Sequence, residues 1–121
     1  MKRSIALSVI LIALLIAIPM PVRAGKGFIS GNDLVNDMKE SENCEEQTDI
    51  HSCSRTFHYM GYVTAAADIY SGLDVICLND GVTRGQLVAV VTSYLKANPD
   101  KWDRPAIELV TTALKKAFPC K

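Results

Sequence analysis

The sequence predicts a small all-α domain of four helices, stapled by two disulfides. Apolar residues recur at three- and four-residue steps along four stretches, and no stretch alternates apolar and polar residues over more than a few positions. Capping residues and prolines stand at the ends of these stretches, and short polar segments join them. An even number of cysteines in a short chain indicates disulfides, and the four are Cys44, Cys53, Cys77 and Cys120.

The first helix is predicted over residues 30–41. Ser30 is a suitable N-cap, and Asp33 follows in the first turn, where the helix dipole favours a negative charge. An acidic, polar loop comes next. The apolar face of this helix is short and consists of Leu34, Val35 and Met38.

The second helix is predicted over residues 49–71, with Asp49 near its start and Gly72 just past its end. Gly61 lies inside it, where glycine costs up to about 1 kcal/mol relative to alanine. We therefore expect another helix to approach closely at Gly61. The predicted apolar face consists of Ile50, Cys53, Phe57, Met60, Gly61, Thr64 and Ala67.

The third helix is predicted over residues 84–97, after a turn at Asn79-Asp80-Gly81. Thr83 and Gln86 have the spacing of a capping box, in which each side chain bonds the backbone of the other residue. Pro99 ends the helix, because proline disfavours the helical state in the residue before it. The predicted apolar face consists of Leu87, Val88, Val91, Tyr94 and Leu95.

The fourth helix is predicted over residues 105–118, with Asp103 as a candidate cap and Pro105 in its first turn. Its apolar face consists of Ile107, Val110, Leu114 and Phe118. A short linker joins the third and fourth helices, so they are expected to pack antiparallel.

That packing brings Cys77, which precedes the third helix, beside Cys120, which follows the fourth. Four cysteines allow three pairings. The antiparallel pair favours Cys77–Cys120, which leaves Cys44–Cys53 to tie the loop between the first two helices. The crossed pairings stay open at this point, although they close neither helical hairpin.

Residues 1–24 have the layout of a secretory signal peptide cleaved after Ala24. Lys2 and Arg3 precede an apolar run over residues 5–18. This run of about 14 residues is shorter than the roughly 20 that span a bilayer, which argues against a retained membrane anchor.

The mature domain is then expected over residues 25–121, exported to the periplasm and free of the membrane. The segment before it holds three basic residues and no acidic one, and the whole chain has 13 of each, so the mature net charge would be about −3. Without a basic patch, we do not expect nucleic acid as a partner.

No pattern indicates an enzyme or a cofactor. His51 and His58 are the only histidines, and no zinc-site spacing combines them with Cys44 and Cys53. Cysteines that pair off leave no free thiol for nucleophilic catalysis. We therefore expect no catalytic residue, no metal and no cofactor, and the remaining class of function is binding.

The only tryptophan, Trp102, stands between charged residues in the linker before the fourth helix. One interpretation is that its indole covers the end of the hairpin formed by the third and fourth helices. The other is that it anchors a partner, since tryptophan is frequent among the residues that dominate binding energy.

Four ordered stretches carry a resemblance to a known family. They are FISGNDLV at 28–35, MGYVTAAAD at 60–68, ICLNDGVTRGQLVAVVTSYLKANPDK at 76–101 and RPAIELVTTALKKAFPC at 104–120. Together they resemble the Rap/Tai family of type VI secretion immunity proteins. Members of that family often have one cysteine near the end of the first helix and another just before the GY pair, and this chain has Met38 and Tyr59 at those places. The nearby Cys44 and Cys53 look like the same cysteine pair, moved toward the loop.

The resemblance implies a periplasmic homodimer that binds a peptidoglycan amidase toxin and blocks its cleft sterically, without chemistry of its own. On grounds of exposure, we predict partner contacts at the linker and at the turn before the third helix. The candidate residues are Asn79, Asp80, Asp100, Lys101, Trp102 and Asp103. The alternative functions are a periplasmic acid-stress chaperone of small helical type and an accessory subunit of an envelope enzyme.

Overall fold

The structure is a computed structural model, and it describes residues 27–44 and 50–121. It confirms the all-α class and the four helices, which we label α1 (Gly31–Asn43), α2 (Ile50–Gly72), α3 (Arg84–Ala97) and α4 (Ala106–Ala117). A short 3-10 helix, Pro99–Lys101, lies between α3 and α4. The predicted signal peptide, residues 1–24, lies outside the described residues. Within the described residues, no helix has both the length and the apolar character needed to cross a membrane.

Capping boxes begin both α1 and α3. The sequence predicts the one at α3, whereas at α1 it predicts Ser30 as N-cap and Asp33 in the first turn without pairing them as a box. The Asp33 amide donates to Ser30 Oγ at 3.2 Å, and the Asp33 carboxylate accepts from the Ser30 amide at 3.1 Å. The bonds from Ser30 hold the pKa of Asp33 below its ordinary value. At α3 the Gln86 amide donates to Thr83 Oγ1 at 3.3 Å, and Gln86 Oε1 accepts from the Thr83 amide at 2.7 Å.

The predicted cap of α4 is wrong. Pro105, and not Asp103, is the N-cap, and no side chain caps this helix. The reason is that the chain before α4 is held by backbone bonds to the segment before α1. The Gly31 amide donates to the Arg104 carbonyl at 2.7 Å, and the Ala106 amide donates to the Ile29 carbonyl at 3.0 Å. We call this pair of bonds the terminal bridge.

Gly31 permits the terminal bridge because it has no side chain. A Cβ atom at this position would lie 2.5 Å from Leu109 Cδ1 and 2.6 Å from the Trp102 carbonyl oxygen. Both distances are shorter than real Cβ contacts, and one of them involves backbone. The first turn of α1 therefore packs directly on the chain that enters α4.

All four helices contribute to one core. Around the bundle, α1 packs against α2, α2 against α3, α3 against α4 and α4 against α1, and α2 also contacts α4. The Tyr59 hydroxyl, although buried, has a partner in Thr92 Oγ1 at 2.8 Å, which joins α2 to α3. The buried residues are Leu34, Val35, Met38, Tyr59, Val63, Ala66, Ala67, Ile76, Leu87, Val91, Leu95, Ala106, Leu109, Val110, Ala113 and Leu114.

The predicted apolar face of α2 is partly wrong. Phe57 is 74% exposed and Gly61 is exposed, so both point away from the core. The expected close approach at Gly61 is absent within the described residues, since a Cβ atom there would meet nothing within 4 Å. The buried face of α2 instead runs through Tyr59, Val63, Ala66 and Ala67.

The two disulfides confirm the favoured pairing. Cys77 and Cys120 are bonded, and the Cys77 amide also donates to the Phe118 carbonyl at 3.0 Å. This end of the antiparallel α3–α4 pair is thus closed both covalently and by backbone. Cys44, the C-cap of α1, is bonded to Cys53 in the first turns of α2.

Gly31 and Gly61, both within helices, differ in what surrounds them, so they give opposite predictions for alanine. Gly31→Ala is expected to lower the free energy of unfolding by about 1–3 kcal/mol, because the new methyl group meets backbone and a core leucine. Gly61→Ala is the matched control and is expected to raise it by up to about 1 kcal/mol, through helix propensity alone. Urea unfolding of both variants tests this, and equal shifts would contradict it.

Burial raises the pKa of Tyr59 to about 12. In the unfolded chain the phenol ionises near pH 10. The folded state favours the neutral phenol, so this group stabilises the fold fully below pH 10. This contribution to the free energy of unfolding is lost as the pH rises from about 10 to 12, and it amounts to about 2–3 kcal/mol in all. Tyr59→Phe is expected to remove this part of the loss of stability at alkaline pH. Urea unfolding at pH 8 and pH 11 checks it, and an unchanged pH slope in the variant would refute it.

Candidate protein-binding site

The linker between α3 and α4 is an exposed turn with a fixed backbone. The Lys101 amide donates to the Asn98 carbonyl at 3.2 Å, and the Arg104 amide donates to the Lys101 carbonyl at 3.0 Å. The Asn98 side chain donates to the Tyr94 carbonyl at 2.8 Å and accepts from Lys101 Nζ at 2.6 Å. With the terminal bridge at its far side, this segment is anchored at both ends.

Trp102 belongs to the fold of this end of the molecule. Its Nε1–H donates to the Leu95 carbonyl at 3.0 Å, near the end of α3, and the ring is half-buried. Lys39 Nζ, from α1, lies 5.0 Å from the ring centroid, within cation–π range. The indole therefore covers the end of the α3–α4 hairpin and links it to α1, and its contact with a partner stays a prediction.

The charged side chains of the linker differ in their contacts: Lys101 is bonded to a neighbouring side chain, whereas Asp100 and Asp103 form no ion pair with another described residue. Lys101 is half-buried, with its ammonium bonded to Asn98 and 5.8 Å from the Tyr94 ring. Asp100 and Asp103 are exposed, and neither forms an ion pair with another described residue. The linker thus presents two unpaired carboxylates on a rigid backbone.

The second predicted patch lies elsewhere. Asn79 and Asp80 are exposed in a turn in which Gly81 has φ +92° and the Val82 amide donates to the Asn79 carbonyl at 3.2 Å. This turn stands before α3, next to the Cys77–Cys120 disulfide. A helix of 14 residues is about 21 Å long, so the turn and the linker occupy opposite ends of α3. The structure does not bring the six candidate residues into one site.

A third surface was missed by the sequence analysis. It lies along the exposed side of α2 and its first following residue, and we call it the α2 ridge. Phe57, Ile69 and Leu73 are 74%, 59% and 64% exposed, which is unusual for large apolar side chains. The ridge consists of Phe57, Gly61, Ala65, Ile69 and Leu73, at steps of four. That spacing could have indicated it, had Phe57 and Gly61 not been placed in the core.

Few side chains of the described residues are candidates for catalysis. His58 is exposed, while the side chain of His51 lies outside the part of the chain that is described. All four cysteines are in disulfides. Among the described residues, no group of three or more potential ligands could hold a metal ion. That the protein is not an enzyme stays a prediction.

Comparison with protein families gives one result that covers most of the chain. The model of the Rap1a immunity proteins matches residues 30–120, from the N-cap of α1 to the last cysteine. A search of curated proteins finds no match. The matched region contains all four helices, both disulfides and the linker. The chain therefore belongs to the Rap1a immunity protein family.

Proposed function

We propose that this protein is a periplasmic immunity protein that binds a peptidoglycan amidase effector of a type VI secretion system and inhibits it sterically. The observation that carries the proposal is the family match over residues 30–120. An immunity protein needs a partner-binding surface and no reaction of its own, which agrees with a domain whose exposed features are charges and apolar side chains.

The linker is the surface that we assign to the effector. Its backbone is fixed by the bonds at Asn98, Lys101 and Arg104, so little conformational entropy is lost when it binds. Asp100 and Asp103 project from it without ion pairs to other described residues and suit a basic rim around a cleft. Such a segment, inserted at the mouth of the cleft, excludes the peptidoglycan stem peptide without touching the reaction.

The cellular location is part of the same proposal. Residues 1–24 would direct export and be removed, which places the domain where an amidase meets peptidoglycan. Two disulfides within a domain of this size suit an oxidising compartment such as the periplasm. We further propose that the exported protein is a homodimer.

The function is tested with the full gene expressed in the source bacterium under its own export. The protein is captured from the envelope fraction, and its partners are identified by mass spectrometry. We expect one stoichiometric amidase, whose hydrolysis of purified peptidoglycan stops when the protein is added. Many weak partners that appear only at pH 2–3 would support the chaperone alternative and overturn the proposal.

Charge reversal separates the two predicted patches. Asp100→Lys with Asp103→Lys is expected to weaken effector binding at least tenfold, because like charges then face each other across the interface. The matched control, Asp80→Lys, reverses an exposed carboxylate at the opposite end of α3 and is expected to leave affinity unchanged. Titration of the captured amidase by calorimetry gives both values. Loss with Asp80→Lys alone would move the effector site to the disulfide end.

A further inference from the structure

A groove crosses α2 at Gly61. One depression, of about 380 Å³, lies between α2 and the first residue of α3, and another, of about 360 Å³, lies between α2 and α1. Phe57 and Gly61 line both depressions, so the two meet at these residues. A Cβ atom at Gly61 would meet nothing within 4 Å, which leaves the passage between them open. We call the two depressions and this passage the Gly61 groove.

The middle of the Gly61 groove is apolar and narrow. Phe57 forms one wall, Met60 and Ala65 line the side toward α3, and Ile29 and Leu34 line the side toward α1. Each depression has the size of sites that hold small ligands, about 300–1,000 Å³. A helix is roughly 10 Å across, which an extended chain crosses in about three residues. The groove therefore fits a short, slender chain with an apolar middle.

The side toward α3 carries two opposite charges that are not paired. Asp68 and Arg84 line the same depression and are exposed, yet they form no ion pair with each other or with another described residue. Arg84 is the first residue of α3, where the helix dipole disfavours a cation, so this charge does not serve the helix. The pair complements a ligand that presents an ammonium to Asp68 and a carboxylate to Arg84. An α-amino-acid head group carries both charges on one carbon.

The side toward α1 differs in its polar groups. The Asp37 carboxylate accepts from the Arg55 guanidinium at 2.8 Å, so its charge has a partner within the fold. His58 is exposed and lines the same depression. An imidazole and a paired carboxylate suit the neutral, hydrogen-bonding amides of a peptide better than a second charged head group. The two sides therefore give the ligand a direction across α2.

We propose that the Gly61 groove binds an α-amino-acid head group that a short apolar stem joins to a peptide. The diaminopimelate side chain of an uncross-linked peptidoglycan stem peptide has this chemistry. Its head group lies between Asp68 and Arg84, its methylene groups cross Gly61 against Phe57, and its peptide backbone lies on the side toward α1. The inference goes beyond the proposed function, because it needs no effector.

Binding is expected to be weak. The helical backbone at Gly61 has its hydrogen bonds within α2, so the ligand is held by apolar contact and by two exposed charges. Ion pairs between exposed groups contribute little to stability or affinity. We therefore expect a dissociation constant on the order of 1 mM, which corresponds to a ligand that is retained where peptidoglycan is concentrated and exchanges freely.

Amide NMR titration of the protein purified from the envelope measures the binding. The probe is a tripeptide of alanine, glutamate and diaminopimelate, and we expect saturable shifts between Phe57 and Asp68 and at Arg84. The matched ligand carries lysine in place of diaminopimelate, so it lacks only the head-group carboxylate. It is expected to bind about threefold more weakly, because the contact with Arg84 is lost. No saturable shift, or equal affinity for the two tripeptides, would overturn the proposal.

Two variants locate the ligand. Gly61→Leu fills the passage and is expected to abolish the shifts, while leucine's higher helix propensity preserves α2. Ala89→Leu is its matched control, a change at an exposed residue of α3, and is expected to bind as the wild type. Arg84→Glu is expected to weaken binding of the diaminopimelate tripeptide at least fivefold and to remove the preference over lysine. Lys115→Glu, at an exposed cation of α4, is expected to keep both. Unchanged binding by Gly61→Leu would contradict the site.

The tripeptide titration contains no amidase, so it decides this inference by itself. A Gly61→Leu variant that loses the tripeptide and still inhibits the amidase supports a ligand site separate from the linker. If Gly61→Leu keeps the tripeptide but loses the amidase, the α2 ridge belongs to the effector surface, and the ligand proposal fails while immunity stands. If the wild type binds the tripeptide but no amidase, immunity fails and the Gly61 groove stands.

Discussion

The fold depends on the terminal bridge between the chain before α1 and the chain before α4. Two backbone bonds, from Gly31 to Arg104 and from Ala106 to Ile29, hold these segments together. The contact is possible only because Gly31 has no Cβ atom to collide with Leu109 and the Trp102 carbonyl. Backbone groups that would otherwise be buried without partners are satisfied by it. The first and last helices of the domain are thereby joined at their N-terminal ends.

The two disulfides close two other helix ends of the bundle. The Cys77–Cys120 disulfide closes the far end of the α3–α4 pair, and Cys44–Cys53 closes the turn between α1 and α2. Loops of these lengths contribute roughly 3–4 kcal/mol each in the chain-entropy model. A domain of about 100 residues buries a limited share of its surface, so such constraints matter to it.

Caps, helix bounds and disulfide pairing could be predicted from the sequence because they depend on local chemistry and chain order. Ser30 with Asp33, and Thr83 with Gln86, are recognisable within four residues. The cap of α4 could not be predicted, because a contact with the distant residue Ile29 replaces it. Long-range backbone pairing has no signal in the sequence of one segment.

The prediction of the buried face of α2 was partly wrong for a different reason. This helix has apolar or small residues on most of its circumference, so periodicity alone cannot select the buried side. Val63 and Ala67 face the core, while Phe57 and Ala65 do not. The choice is made by the surfaces that α1, α3 and α4 offer. Of the candidate binding surfaces, the linker could be proposed from exposure, whereas the α2 ridge required the packing to be known.

Gly31 and Gly61 both lie within helices, but their surroundings differ. Glycine within a helix costs roughly 0.8–1.0 kcal/mol relative to alanine. At Gly31 the close backbone contact offsets that cost inside the molecule. At Gly61 no described residue approaches, so nothing within the fold offsets it. The rule that a helical glycine permits close approach therefore explains Gly31, whereas no such contact exists at Gly61 among the described residues.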